Sequence, residues 1–140
     1  MNRVWLSAIV LCGLSLVAGG QARATYNNYH SDNRYDFEIT NERLANSPVW
    51  SEDQDCPPLT ARTALKIASA QLHQLFHDAD KWSNRGLQLT QLGDRWLYLV
   101  EFEEPAPPGV SEYLASPFRI PVLMNGETIE PKVSPWKPGS

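Results

Sequence analysis

Two histidines, His73 and His77, stand four residues apart, with Asp78 and Asp80 directly beyond them. On a helix, that spacing can present both imidazoles to one metal ion, which in turn can activate a water for hydrolysis. Helix geometry places the pair about 120° and 160° from the apolar axis of the segment, on the side that also carries Arg62 and Lys66. Positive charge there opposes a cation, and no adjacent glutamate completes a zinc-hydrolase pattern. The pair therefore reads as part of a solvated polar face, with a small metal-dependent hydrolase using His73 and His77 as the alternative. Asp78, Asp80 and Gly86 fail as a calcium loop because Trp82 occupies the third ligand position and the glycine is misplaced. Glu101, Glu103 and Glu104 read as solvated strand termini, since carboxylates adjacent in sequence lack the convergence that acid–base chemistry needs. The chain has no G-x-S-x-G, H-E-x-x-H, C-x-x-C or phosphate-binding glycine loop. A chain without enzymatic activity or cofactor is the expectation.

The cysteines are Cys12 and Cys56, and Cys12 falls in an N-terminal segment of distinctive composition. Arg3 precedes an uncharged run, Val4 to Ala18, which leads to the small residues Ala22 and Ala24. That order is the pattern of a signal peptide spanning residues 1–24, cleaved after Ala24. The apolar run is shorter than the roughly 18 to 20 residues of a spanning helix, so no membrane anchor is expected after cleavage. The expected destination is periplasmic or extracellular. Twelve basic and sixteen acidic residues give the whole chain a charge of −4; loss of Arg3 and Arg23 leaves ten against sixteen, or −6. With no basic cluster in residues 25–140, nucleic acid is excluded as a partner and anionic membrane surfaces are disfavoured. Cys56 keeps no intrachain partner and reads as an unpaired loop thiol, with an intermolecular disulfide as the alternative.

The elements that would position these groups begin late in the chain. Residues 25–58 are polar and without a sustained period, and read as an extended or partly disordered lead-in. Tyr26, Tyr29, Tyr35, Phe37, Ile39, Val49 and Trp50 within it can still dock on an apolar surface. Pro57 and Pro58 delay a helix that Thr60 can cap. From Ala61 to about His77, the residues Ala61, Ala64, Leu65, Ala68, Leu72, Leu75 and Phe76 share one face. Two strands, about 87–92 and 95–103, flank Gly93-Asp94, a two-residue hairpin loop that pairs Leu89 with Tyr98, Leu87 with Val100 and Gln91 with Trp96. A proline-rich loop covers 104–117. A strand over 118–124, a turn at Asn125-Gly126 and a run over 127–131 close the domain, pairing Val122 with Ile129 and Leu123 with Thr128. Pro121 lacks an N–H and points to a sheet edge. Residues 134–140 read as an irregular tail.

The sum is an α+β domain over 59–133, one amphipathic helix packed in two layers on a three- to four-stranded antiparallel sheet. Leu97 and Leu99 point to the sheet face opposite the helix and need a cover. Either the lead-in or a partner provides it, so they are the candidate interaction face. The helix opening Leu59-Thr60-x-x-x-Ala64-x-x-x-Ala68, the strand WLYLVEFE and the closing FRIPVLMNGETIEP resemble a PepSY-type repeat over residues 59–133. The resemblance implies a small exported helix-plus-sheet module, non-catalytic and regulatory or inhibitory. The leading expectation is an exported binding module for a protein or peptide partner, a second copy of the chain included. A structural protein of an envelope or extracellular layer is the other alternative beside the hydrolase.

Overall fold

The computed structural model describes residues 22–110 and 116–139, so the expected signal segment lies outside the described residues up to residue 21. The chain forms β1 (Ala22–His30), β2 (Asn33–Thr40), α1 (Asn41–Ala45), α2 (Ala61–Leu75), a 3₁₀ turn (Ala79–Lys81), β3 (Ser83–Leu92), β4 (Arg95–Glu103), β5 (Phe118–Leu123) and β6 (Lys132–Pro135). The strands make two antiparallel sheets, ordered β1-β2-β6 and β3-β4-β5. The class is α+β, with the main helix on the second sheet, as expected; the first sheet is additional.

Helix α2 starts where Thr60 accepts a hydrogen bond from the Thr63 N–H at 3.2 Å, satisfying one of the free donors of the first turn. Ala64, Ala68 and Leu72 are buried, and the two alanines allow close approach to the sheet. The Tyr98 hydroxyl donates to the Leu59 carbonyl at 2.8 Å and ties the helix entry to β4. The helix ends at Leu75, short of His77, because Phe76 turns to φ −132°, ψ 124°. That turn sends the Phe76 ring into an aromatic cluster, stacked on Trp82 at 4.9 Å and edge-on to Phe118 at 5.2 Å.

The central hairpin has the expected register: Leu87 pairs with Val100, Leu89 with Tyr98 and Gln91 with Trp96. Gly93 supplies the positive φ, +65°, that the two-residue loop demands. Strand β3 begins earlier than expected, at Ser83, by way of an irregularity between Asn84 and Gly86. On the other side β4 pairs with β5 from Leu97↔Leu123 to Phe102↔Phe118.

Four expectations need correction. Residues 25–58 are not a loose lead-in: Tyr35, Phe37 and Ile39 alternate along β2 and are 8%, 0% and 0% exposed. A three-residue alternation within a polar stretch is too short a signal to stand out, yet it fills a core. Leu97 and Leu99 are 0% and 5% exposed and belong to the same core cluster as Phe37 and Ile39. They offer no open interaction face. The last loop is one residue longer than expected, and the pairing shifts by one: the Leu123 N–H donates to the Glu127 carbonyl and Val122 bridges Thr128. With Gly126 at φ +84° this is a three-residue loop with a glycine in the left-handed position. Residues 129–131 then leave the sheet. Gln71 takes the Ile129 carbonyl at 2.6 Å, and Pro131 has no N–H for a ladder. The chain instead reaches β6, whose Val133 pairs with Tyr35, so Ser134 and Pro135 belong to a strand rather than to an irregular tail.

Pro121 sits as expected. The Arg119 N–H and carbonyl both face away from β4, toward Asn28; two residues on, the Pro121 nitrogen faces the same outer edge and costs the ladder nothing.

Candidate functional site

Besides the shared core, one side chain hydrogen-bonds the two sheets edge to edge. Asn28, 4% exposed on β1, donates from Nδ2 to the Arg119 carbonyl at 2.9 Å and accepts the Arg119 N–H on Oδ1 at 2.7 Å. An amide has one donor end and one acceptor end, so it substitutes for a neighbouring strand at that point of the β5 edge. Beside this stitch a cleft of about 500 Å³ opens between the β1–β2 turn, the end of β4 and the start of β5.

Aromatic rings form much of its lining. His30 lies 4.7 Å from the Phe76 ring and 5.1 Å from Trp82, and Trp82 in turn meets Phe118 edge-on at 5.9 Å. At the mouth, Tyr29 and Trp136 face each other at 4.6 Å, with Tyr29 48% exposed. The backbone N–H of Trp136 donates to the Asp32 carbonyl at 2.7 Å, which ties the C-terminal strand to the β1–β2 turn. Ser31 in that turn has φ 53°, the one non-glycine residue in the left-handed region among the described residues. That conformation is uncommon outside Gly, Asn and Asp and indicates a turn set by its surroundings.

The cleft is polar as well as aromatic. His30 Nδ1 lies 2.7 Å from Glu104 Oε2, both side chains about four-fifths buried. Glu101 pairs with Arg119 at 2.9 Å and Glu103 with Arg85 at 3.6 Å. The three glutamates thus turn to three different basic groups and do not converge on each other. Trp82 is different: its indole Nε1 is buried and has no acceptor. A buried donor left unpaired costs about 1–3 kcal/mol, and Trp82 lines the cleft.

His73 and His77 do not form a joint site. His73 directs Nδ1 to the Ser69 carbonyl and Nε2 to Asp80, each at 2.8 Å. The first of these bonds, and then the second, raises its pKa above the ordinary imidazole value. A ring donating from both nitrogens has no lone pair for a metal. His77 lies past the helix end, where i, i+4 geometry no longer applies. Among the described residues no group of three or more His, Cys, Asp and Glu side chains could hold a metal ion. Cys56 is a free, exposed thiol. No described helix is long and apolar enough to cross a membrane.

The residues that sequence patterns did not single out are His30, Trp82 and Trp136. His30 lies in a stretch without periodicity and Trp82 in a connection, and each gains meaning only beside residues distant in the chain. Glu104 was visible as a carboxylate, but its histidine partner was not. Comparison with protein-family models, with curated proteins and with solved structures finds no match for this chain.

Proposed function

We propose that the chain is an exported, non-enzymatic binding module whose contact surface is the cleft beside Asn28 rather than Leu97 and Leu99. Export rests on the signal-peptide pattern of residues 1–24 and places the module in the periplasm or outside the cell. The resemblance of residues 59–133 to PepSY-type repeats points toward the same non-catalytic role. The observation that carries the reading is the aromatic cleft of about 500 Å³ itself, open at Tyr29 and Trp136, whose ionisable side chains already have partners within the chain. A ligand that brings a flat apolar surface suits those rings.

The test is a fragment and small-ligand screen by NMR on the isotope-labelled protein. Shifts clustered on Tyr29, His30, Trp82 and Trp136 are the expected result. Hits that map elsewhere, or a silent screen, would sink the assignment of the cleft. Intact-mass measurement of protein recovered from the exported fraction is expected to give a chain starting at Thr25.

A further inference from the structure

We propose that the ligand of this cleft is a short neutral saccharide. The inference rests on the binding-module reading above and narrows it to one ligand chemistry.

Three features lead there. First, the ionisable groups at the cleft already have partners within the protein, Glu104 with His30 and Arg119 with Glu101. An anionic or cationic ligand has to compete with an existing pair, whereas a neutral one does not. Second, the sheet edge in the cleft is already used. Asn28 holds both the N–H and the carbonyl of Arg119, so an extended peptide finds no ladder there to which it can add as a strand. Third, what remains on offer is aromatic surface, from Tyr29 and Trp136 at the mouth and Trp82 deeper in, with the hydroxyls of Ser31 and Ser116 and the amide of Asn27.

A pyranose is complementary to that set. Its C–H faces are flat and apolar and pack on aromatic rings, and its edge is a row of hydroxyls that both donate and accept. The cleft volume, about 500 Å³, lies in the range of small-molecule sites.

The experiment is a titration of the exported protein with maltotriose, cellotriose and N,N′,N″-triacetylchitotriose, followed by NMR shifts. Saturable binding of at least one, on cleft resonances, is expected. Trp136→Ala removes one ring of the mouth and should weaken binding about fivefold by loss of ring contact. Tyr29→Ala, at an exposed position that leaves the fold intact, should weaken it about tenfold by loss of ring contact. A proline-rich decapeptide serves as the second probe. Saturation by the peptide and by none of the sugars overturns the saccharide and leaves the binding cleft standing. Silence from sugars, peptide and fragment screen together overturns both. Sugar binding unaffected by either substitution overturns the assignment to this cleft.

Discussion

The sheets β3-β4-β5 and β1-β2-β6 have three strands each but are held together differently. In the first, both faces of β4 are buried, with Leu97, Tyr98, Leu99 and Val100 all at 5% exposure or less. The second sheet buries one alternating row, Tyr35, Phe37 and Ile39, and leaves Val133 half exposed. Around that packed row its attachment is polar at the edges: Asn28 bonds the β5 edge, and beyond α1 Ser47 accepts the Met124 N–H at 3.1 Å while Arg95 donates to the Ser47 carbonyl. An all-apolar seam closes on itself, whereas a seam made by polar stitches leaves space between them. The cleft lies at that seam.

Substitutions can test this contrast, beginning with the largest effect. If residues 25–58 were a dispensable lead-in, Phe37→Ala would be silent; with Phe37 fully buried, the loss expected in chemical denaturation is about 3–5 kcal/mol. It should match the effect of a core truncation such as Leu97→Ala, about 2–5 kcal/mol, and an unchanged midpoint would refute a shared core. Asn28→Ala removes the stitch and leaves the Arg119 N–H and carbonyl without partners. A loss of about 2–3 kcal/mol is expected, together with faster amide exchange at Arg119. Exchange left as slow as in the parent would show that something else holds that edge.

Thr60→Ala sharpens the other side of the comparison, because α2 belongs to the locally encoded half. Its loss of a helix cap should cost about 1 kcal/mol, and Thr60→Asn should restore it. The smallest effect concerns His73. Its pKa is raised in the folded chain, so the linked stability is fully present below the unfolded value and fades as pH rises through the folded one. The imidazole is fully exposed, so the change in melting temperature across that interval should be slight. Asp80→Asn should diminish it and shift the His73 titration seen by NMR downward.

Sequence patterns reveal a residue's role when its partners lie nearby in the chain. Thr60 and the stripe through Ala64, Ala68 and Leu72 declare α2 because every element of the pattern falls within a few turns. Gly93-Asp94 fixes the β3–β4 register for the same reason, and Pro121 declares an edge by what it lacks. Leu97 and Leu99 were correctly placed on the second face of β4, yet their environment depends on the rest of the folded chain. Tyr35, Phe37 and Ile39 alternate over only one short strand, and the turn before them holds Ser31-Asp32 in place of a glycine signal. His30, Trp82, Glu104 and Trp136 share no motif at all. Their relation exists only in the tertiary contacts among β1, the 3₁₀ turn, β4 and the C-terminal strand.

The beginning of β1 sets a constraint on timing. Ala22 pairs with Thr40 and Ala24 with Ile39, and the Arg23 guanidinium sits over the β3–β4 turn, 2.7 Å from where a Cβ on Gly93 would be. The proposed cleavage bond, Ala24 to Thr25, therefore lies inside a paired strand, near its start. A peptidase must grip an extended, unpaired substrate, and the closed hairpin withholds one. On the proposed export route, processing and folding are thus ordered events: the leader has to leave before β1 finds β2, and a chain that folds first keeps its leader.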